Sequence, residues 1–468
     1  MAKSTARPRP AFRCSECGWE TAKWVGRCGE CQAWGSVAEA AAPGAPRSRV
    51  EAGPVTRAAV PIGQVPAEES RARDSGVAEL DRVLGGGLVP GAAILLAGEP
   101  GVGKSTLLLE VAAQTARTRT RTLYITGEES AAQVRLRADR TGGVHEELYL
   151  AAETDLGAVL GHIEAVRPTL VVIDSVQTIS AADVEGVPGG VSQVKEVAAA
   201  LVRTAKLRNI TTVLVGHVTK DGSVAGPRVL EHLVDVVLHF EGERNSRLRL
   251  VRAVKNRYGP VDEVGCFDLS SDGIVAIADP TGLFLDAHHG TIPGTCVSVA
   301  MEGRRPMLAE VQALVAETGA ERPRRTTSGV DGSRVAMILA VLQQHAGVRL
   351  TSHDVFVSTV GGARLVGSAS DTAVALSIAS ATAQRALGQQ TVAIGELGLS
   401  GELRRVPDLT QRVAEAARLG FRLAVVPAER PDTKGRSRTV EGMRVVEVGH
   451  LRDALRLLGL AGRASEVA

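Results

Sequence analysis

The stretch GEPGVGKS spans Gly98–Ser105 and follows the apolar run AAILLA. The pattern STLLLEVA, which has the apolar spacing of a helix, begins at its last residue. Strand, glycine-rich loop and helix in this order are what a phosphate-binding loop requires, because glycines let backbone N–H groups turn inward around an anion. The positive end of the helix dipole favours the same anion. The stretch therefore predicts a nucleotide site in an α/β core.

Two side chains of this loop have specific expected roles. Lys104 is expected to reach the β- and γ-phosphates of ATP, and the Ser105 hydroxyl is expected to bind Mg²⁺. A second apolar strand, LVVIDS, ends in Asp174, where an aspartate can hold Mg²⁺ through water. ATP and Mg²⁺ are therefore the expected cofactors. The residues predicted to bind them are Gly98, Glu99, Pro100, Gly101, Val102, Gly103, Lys104, Ser105 and Asp174.

An acidic pair follows another apolar strand. In TLYITGEES, Glu128 and Glu129 come at the carboxyl end of the strand, where the γ-phosphate of a bound nucleotide would lie. A carboxylate there can orient the attacking water, and we favour Glu128 as this catalytic base. The alternative is that the pair stabilises the N-terminus of the next helix, AAQVRLRADR.

The composition is that of a globular chain with two or three domains. It has 468 residues, 44% of them hydrophobic and 23% charged, with a net charge of +2. Aromatic residues make up only 3%, which argues against stacking on rings as the main mode of binding single-stranded nucleic acid. No apolar run of about 18 residues and no signal peptide is present, so we expect no membrane association and a cytoplasmic location.

The chain divides into blocks of different composition. Short apolar runs alternate with helical patterns, which predicts an α/β fold whose mostly parallel sheet is covered on both faces. A second α/β block, rich in Gly, Ser and Ala, follows it. The predicted domains are a cysteine-containing module at 1–36, a linker at 37–70, the nucleotide-binding core at 71–285 and the second α/β domain at 286–468.

Four of the six cysteines form two CxxC pairs. They are Cys14 and Cys17 in CSEC, and Cys28 and Cys31 in CGEC, ten residues further on. Two such turns can complete a tetrahedral Zn²⁺ site, and the absence of an open ligand position favours a structural role. We therefore predict a zinc finger with four cysteine ligands. What it contacts, whether DNA, protein or neither, stays open.

Several segments together resemble one family closely. They are CSECGW…KWVGRCGECQAWGS, ELDRVLGGGLVPG, GEPGVGKSTLLLE, GHVTKDGSVAGPRVLEHLVD and KNRYG, in this order and over nearly the whole chain. The combination is similar to the bacterial RadA (Sms) DNA-repair family. That resemblance implies a zinc finger, a RecA-like ATPase core and a domain similar to the Lon protease. It further implies a hexameric ring that binds single-stranded and branched DNA, cooperates with the RecA recombinase and uses ATP to drive branch migration.

Two basic segments gain expected roles from the resemblance. In VTKDGSVAGPR, Lys220 and Arg228 would belong to a DNA-facing loop, although a plain surface hairpin is the alternative. In KNRYG, Lys255 and Arg257 would act on the nucleotide of a neighbouring subunit, like an arginine finger, or on DNA. The family has Phe where this chain has Tyr258, which adds a hydroxyl that needs a partner.

The C-terminal block resembles the two catalytic segments of Lon-type proteases. These enzymes use a serine nucleophile and a lysine base, but Ala369 stands at the serine position and Thr410 at the lysine position. Ser368 and Ser370 flank the first position, yet no lysine occurs between Lys255 and Lys434. We therefore predict a scaffold that is not a protease. It is expected to serve ring assembly and DNA binding, with a basic surface supplied by Arg304, Arg305, Arg322, Arg324, Arg325 and Arg334.

Three functions compete at this point. The first is a DNA-dependent ATPase and helicase-type motor, favoured by the phosphate loop, the basic pentapeptide and the zinc finger together. The second is an ATP-dependent protease, which the missing lysine disfavours. The third is a signalling ATPase of the clock-protein type, which shares the doubled glutamate but has neither a zinc finger nor a Lon-like block.

Overall fold

The computed structural model describes residues 12–39, 59–66, 68, 71–217, 227–242, 247–279, 284–285, 292–388, 390–429 and 436–460. The chain forms two compact units, Met1–Pro66 and Ala67–Ala468. Each unit is described by itself below. In the described part of the chain no helix is both long and apolar enough to cross a membrane.

The first unit contains a small antiparallel sheet. Its strands are β1 (Phe12–Cys14), β2 (Glu20–Thr21) and β3 (Val37–Glu39), with β1 between the other two. Cys14 pairs with Val37 across the sheet, and both are buried with Cys28 in a small core. The expected end of this module at residue 36 therefore falls within the sheet, because residues 37–39 form its third strand. A short 3₁₀-helix, Ile62–Gln64, follows further along.

The second unit begins with the α/β core that carries the phosphate loop. Its elements are α1 (Ala78–Leu84), β4 (Ala93–Gly98), α2 (Lys104–Arg117), β5 (Thr122–Thr126), α3 (Ala131–Arg140), β6 (Leu148–Ala152), α4 (Leu156–Val166), β7 (Leu170–Asp174), α5 (Val191–Arg208), β8 (Thr211–His217), α6 (Pro227–Leu233), β9 (Val236–Glu241), β10 (Leu248–Asn256), β11 (Val264–Ser270) and β12 (Gly273–Ala276). A 3₁₀-helix, Val176–Thr178, follows β7.

These strands form one sheet in the order β12-β11-β10-β9-β4-β8-β7-β5-β6. From β9 to β6 all neighbours are parallel, and β10, β11 and β12 extend the sheet with antiparallel pairs. β4, β5 and β7 are buried along their whole length, because helices cover both faces. The α/β fold with a mostly parallel sheet is confirmed.

The C-terminal part forms a second mixed sheet. Its elements are β13 (Thr295–Glu302), β14 (Arg305–Glu317), β15 (Arg325–Ser328), α7 (Gly332–Ala346), β16 (His353–Thr359), α8 (Asp371–Ala383), β17 (Thr391–Ala393), β18 (Glu396–Leu397), β19 (Leu403–Arg404), α9 (Leu409–Arg418), β20 (Leu423–Pro427), β21 (Ser437–Val440), β22 (Met443–Val448) and α10 (Leu451–Leu457). The strand order is β15-β16-β14-β13-β17-β20-β22-β21, and β18 pairs with β19. Helix α8 is buried almost throughout, as a central helix packed against the sheet.

Charged pairs join the C-terminal sheet to the α/β core that carries the phosphate loop. Arg305 at the start of β14 pairs with Glu79 of α1, and both side chains are almost fully buried. The same carboxylate accepts a hydrogen bond of 2.9 Å from the backbone N–H of Cys266 in β11. A second pair joins Arg252 of β10 to Glu302 of β13. Arg305 therefore does not contribute to a basic surface, which corrects the expectation for this residue. Arg334 is half-buried and pairs with Asp371.

Candidate nucleotide and metal sites

The phosphate loop lies where β4 ends and α2 begins. Gly98 is the last residue of β4, and Lys104 is the first residue of α2. Gly101 and Gly103 have φ values of 82° and 107°, a backbone conformation that favours glycine. This conformation lets successive N–H groups face one side, as a phosphate cradle requires. Leu107 N–H donates to the Gly103 carbonyl, so the helix starts directly at the loop.

The Lys104 side chain is folded back over its own loop. Its ammonium group donates to the carbonyl oxygens of Gly98 at 2.7 Å and Glu99 at 2.9 Å. Burial lowers the pKa of Lys104, while the charges of Asp174 and Glu128 oppose this effect. The predicted cation, the predicted Mg²⁺-side aspartate and the predicted base thus interact electrostatically at one end of the sheet.

Asp174 and Glu128 are each held by a hydroxyl group. The Tyr124 hydroxyl donates to Asp174 Oδ2 at 2.5 Å, and both side chains are buried. Burial and the Asp174 charge raise the pKa of Tyr124 well above its usual value, so the phenol stays a donor. Ser175 Oγ donates to Glu128 Oε1 at 2.7 Å. No motif predicted Tyr124 or Ser175, although Tyr124 lies in the strand that precedes Glu128 and Ser175 directly follows Asp174.

The two glutamates of the acidic pair point in different directions. Glu128 contacts Ser175 beside the end of β7, whereas Glu129 forms an ion pair with Arg137 of α3. The N-terminus of α3 is capped by Ser130, whose hydroxyl accepts from the Gln133 N–H in a capping box. Glu129 is therefore the member associated with the helix, and Glu128 is the one on the side of the phosphate loop. The choice of Glu128 as the base stays a prediction with this geometry in its favour.

A buried arginine braces the phosphate loop from the antiparallel part of the sheet. Arg249 of β10 donates from Nε to the Val102 carbonyl at 2.9 Å. Its side chain is almost fully buried, and burial lowers the pKa of the guanidinium group. The motif analysis missed this residue, because a strand of alternating arginines and apolar residues ordinarily has a solvated polar face.

The KNRYG segment lies at the end of β10 and contacts two helix C-termini. Lys255 donates from Nζ to the carbonyls of Glu231 and Val234, both at 2.7 Å, where α6 ends. Asn256 donates from Nδ2 to the carbonyls of Val83 at 3.3 Å and Leu84 at 3.1 Å, where α1 ends. Such donors satisfy carbonyls that have no partner within their own helix.

The rest of the segment converges on one buried aspartate. Arg257 donates from Nη1 to Asp235 Oδ1 at 3.1 Å, although the arginine side chain is 58% exposed. Burial and the charge of the Asp235 carboxylate raise the pKa of Tyr258. Asp235 was missed, yet a lone acid inside the apolar run HLVDVVLHF is a visible signal.

The predicted DNA-contacting residues fall largely outside the structure. Lys220 lies outside the described residues. Arg228 belongs to α6, but its side chain is likewise not among the described groups. The role of this segment stays a prediction.

The four predicted zinc ligands come together in the first unit. The Sγ atoms of Cys14 and Cys31 are 3.7 Å apart, those of Cys17 and Cys28 are 3.6 Å apart, and all four lie within 4.8 Å of one another. A tetrahedral site with Zn–S bonds of about 2.3 Å requires sulfur–sulfur separations of about 3.8 Å. The cysteines therefore fit a closed Zn²⁺ site.

Comparisons with known proteins agree with this arrangement of domains. The family model described as rubredoxin metal binding domain matches residues 12–39, the AAA domain matches residues 61–223, and subunit ChlI of Mg-chelatase matches residues 332–430. DNA repair protein RadA of Mycolicibacterium smegmatis is 52% identical over 468 residues, which cover 97% of this chain and 98% of that protein. The chain belongs to the RadA family of DNA repair proteins.

Other RadA proteins show that this similarity extends across distant bacteria. DNA repair protein RadA of Mycobacterium tuberculosis is 54% identical over 427 residues, which cover 90% of this chain and 88% of that protein. The RadA protein of Streptococcus pyogenes is 44% identical over 460 residues, covering 96% of this chain and 99% of that protein. The resemblance read from the motifs is therefore confirmed over almost the full length.

In this RadA family member the Lon-like positions do not form a serine–lysine pair. Ala369 is buried in the core beside α9, and Thr410 belongs to that helix. Ser370 is buried at the N-terminus of α8, and the neighbouring Asp371 is held by Arg334 and by the Leu397 N–H. Thr410 has no amine that could act as the base of a serine nucleophile. That the domain is not a protease stays a prediction, now with this packing behind it.

Proposed function

We propose that this RadA family member is a DNA-dependent ATPase motor that drives branch migration as a hexameric ring, in which KNRYG of one subunit acts on the nucleotide of its neighbour. The observation that carries the proposal is the separation of the two functional segments within one subunit. The phosphate loop lies at the carboxyl end of the parallel strands, and KNRYG lies at their amino end.

The strand register gives the size of this separation. Val236 of β9 pairs with both Ile94 and Asn256, whereas Gly98 is level with Phe240. Four residues of strand lie between the two levels, which is about 13 Å at about 3.3 Å per residue. These cations lie far from their own phosphate loop, at the opposite end of the parallel strands. They are therefore suited to act on the nucleotide of another subunit.

The two cations of the segment have different duties in this proposal. Lys255 uses two of its three N–H donors on the C-terminus of α6, so it anchors the segment. Arg257 is 58% exposed and its guanidinium group has five donors, which makes it the cation that reaches the neighbour's phosphates. An arginine supplied in this way stabilises the charge that develops during phosphoryl transfer.

The remaining steps of hydrolysis are assigned to residues around the phosphate loop. Lys104 exchanges its loop carbonyls for the phosphates, and Glu128 orients the attacking water while Ser175 holds its carboxylate. Ser105 and Asp174 are the residues that would hold Mg²⁺. When bound, this ion would neutralise negative charge on the phosphates.

The wider assignment rests on family membership. The relatives are named DNA repair protein RadA, and this supports action on DNA in repair and recombination. We propose single-stranded and branched DNA as ligands and the RecA recombinase as partner. The C-terminal domain serves as a scaffold for the ring and for DNA.

A RecA-initiated three-strand exchange reaction tests the function. Wild type is expected to extend the exchanged segment in an ATP-dependent manner and to hydrolyse ATP faster with single-stranded DNA. Lys104→Ala is expected to abolish both activities. Lys255→Ala and Arg257→Ala are expected to retain ATP binding but to lose exchange, and Arg257→Ala also loses stimulated hydrolysis. The proposal would be contradicted if zinc-loaded wild-type protein hydrolysed ATP at the same rate with and without single-stranded DNA.

Subunit mixing tests whether Arg257 acts in trans. A Lys104→Ala subunit still offers Arg257, and an Arg257→Ala subunit still has a complete phosphate loop. A mixture of the two inactive variants should therefore recover part of the wild-type ATPase rate. A mixture that stays as inactive as its components would contradict action between subunits and leave DNA contact as the role of Arg257.

A further inference from the structure

The connection between α6 and β9 contains a buried carboxylate without a role in the hydrolysis scheme. Asp235 is only 1% exposed, and it directly precedes β9. Its carboxylate accepts hydrogen bonds from Ala93 N–H at 3.1 Å, from Lys206 Nζ at 2.8 Å and from Arg257 Nη1 at 3.1 Å. A buried ionised group survives only when it is this well paired.

The contacts of Asp235 divide into two groups. One group faces the strand that carries the phosphate loop: Asp235 N–H donates to the Ala93 carbonyl at 2.9 Å, and Ala93 N–H donates back to the carboxylate. Ala93 is the first residue of β4, and Gly98 of the phosphate loop is its last. Asp235 is therefore fixed to β4 by a pair of opposed hydrogen bonds.

The other group faces KNRYG. Besides the side-chain bond from Arg257, the backbone N–H of Arg257 donates to the Asp235 carbonyl at 3.2 Å. Lys255 donates to the carbonyl of Val234, the residue just before. The side chains of Lys255 and Arg257 thus meet at Asp235 and its neighbour.

The ionised state of Asp235 agrees with this geometry. Burial favours the neutral acid, but the hydrogen bonds from Lys206 and Ala93, with the charges of Lys206 and Arg257, outweigh it and hold the pKa of Asp235 below its usual value. At neutral pH the group is a carboxylate that attracts the Arg257 guanidinium. Lys206 on α5 is its second cation and pairs with the carboxylate at 2.8 Å.

We infer that Asp235 is a positioning residue that fixes Arg257 against the first residue of β4, and so sets the place of the trans cation relative to the subunit's own phosphate loop. This inference rests on the proposed function, since it requires Arg257 to act on a neighbour. In physical terms, β4 and Asp235 form a rigid connection between the phosphate loop and Arg257. A change at the phosphate loop moves β4, β4 moves Asp235, and Asp235 moves the cation offered to the next nucleotide.

The test compares substitutions that disturb the same carboxylate on different sides. Asp235→Asn weakens the hold on Arg257 and on Lys206, and Lys206→Met removes only the second cation. Asp235→Asn is expected to lower the DNA-stimulated kcat of the full-length protein about tenfold, with KM for ATP changed less than about twofold. Lys206→Met is expected to lower Tm about as much as Asp235→Asn does. It should leave kcat within about twofold of wild type.

A double variant separates positioning from simple loss of stability. If Asp235 acts through Arg257, then Asp235→Asn combined with Arg257→Ala should have the same kcat as Arg257→Ala alone. A further drop of about tenfold in the double variant would overturn the inference, as would an Asp235→Asn kcat equal to that of Lys206→Met. If Asp235→Asn does not fold, Asp235→Glu, which keeps both ion pairs but displaces the carboxylate by one methylene, should still reduce kcat without changing KM. An unchanged kcat in this variant overturns the inference as well.

The outcomes also distinguish this inference from the proposed function. If Arg257→Ala has the wild-type kcat, Arg257 is not a trans cation, and the proposed function and the positioning role of Asp235 both fail. If Arg257→Ala is inactive but Asp235→Asn is fully active, only the positioning role of Asp235 is excluded.

Discussion

Loss of the buried ion pair between Glu79 and Arg305 is expected to lower the stability of the protein by a measurable amount. Arg305 donates to Glu79 and to the carbonyls of Ala278 and, at 3.3 Å, Ile277. Both charged side chains are less than 10% exposed, at 3% for Glu79 and 7% for Arg305. Arg305→Met preserves the apolar stem but removes the buried cation of Glu79, whose carboxylate then keeps only the half-exposed Arg82, at 3.5 Å, as an ion-pair partner in the described part of the chain.

The size of the effect follows from this burial. Removing one partner of a buried ion pair costs about 3–5 kcal/mol of unfolding free energy. The second unit has about 400 residues. At an unfolding entropy of about 2.1 cal/mol/K per residue, each kcal/mol lowers its Tm by about 1.2 °C. Arg305→Met is therefore expected to lower the main Tm by roughly 4–6 °C in scanning calorimetry.

The neighbouring residue supplies a matched control. Arg304 is 61% exposed and lies 3.6 Å from an Asp262 carboxylate oxygen. Exposed pairs of this kind contribute about 0–1 kcal/mol, so Arg304→Met should lower Tm by about 1 °C or less. Glu79→Gln added to Arg305→Met removes the buried charge that has lost Arg305, keeps an acceptor for the Cys266 N–H and should restore part of the loss. A large contribution of the buried pair to stability is refuted if the two arginine variants have the same Tm. It is also refuted if the double variant is no more stable than Arg305→Met.

Three further outcomes can be measured on the full-length protein. Glu128→Gln should lower kcat for ATP about 10²–10⁴-fold without weakening nucleotide binding, whereas Glu129→Gln, which alters only the helix side, should change kcat less than about threefold; equal effects would contradict the assignment. Tyr124→Phe removes the donor to Asp174 and should lower the unfolding free energy in urea by about 1.5–3 kcal/mol; an unchanged midpoint would contradict a stabilising role of this hydrogen bond. Elemental analysis should find one zinc ion per chain, lost in Cys31→Ser; full zinc content in that variant would rule out the four-cysteine site.

The parts of the molecule that were predictable are those encoded by local spacing. The phosphate loop requires glycines, a lysine and a helix start within eight consecutive residues, and the zinc site requires two short CxxC turns. Both patterns determine the local geometry almost alone, and the structure contains the strand, loop and helix and the cluster of four cysteines that they predict. The order of strands and helices follows from apolar runs of characteristic length, which is why the α/β fold was also predictable.

The contacts that were not predictable join residues far apart in the chain. Arg305 looked like one more surface arginine, since its partner Glu79 is 226 positions away. The hydrogen bonds from KNRYG to α1 cross more than 170 positions. Neither partner is adjacent in any motif, so burial and pairing become visible only when the strands are arranged in space. The split between Glu128 and Glu129 was left open for a related reason, because two adjacent side chains share one local pattern and diverge only through their tertiary contacts.

The glycine that ends KNRYG has a consequence for exchanging segments between relatives. Gly259 packs against Gly85, the glycine that ends α1, and a Cβ atom on either one would lie 2.8 Å from the other's Cα. The lead-in segment ELDRVLGG and the pentapeptide are thus two halves of one backbone-to-backbone contact, closed by Asn256 on the carbonyls of α1. A chimaera that imports one half with a larger residue at the contact would force the other half aside. The two segments should be transplanted, and should vary in evolution, as a single unit.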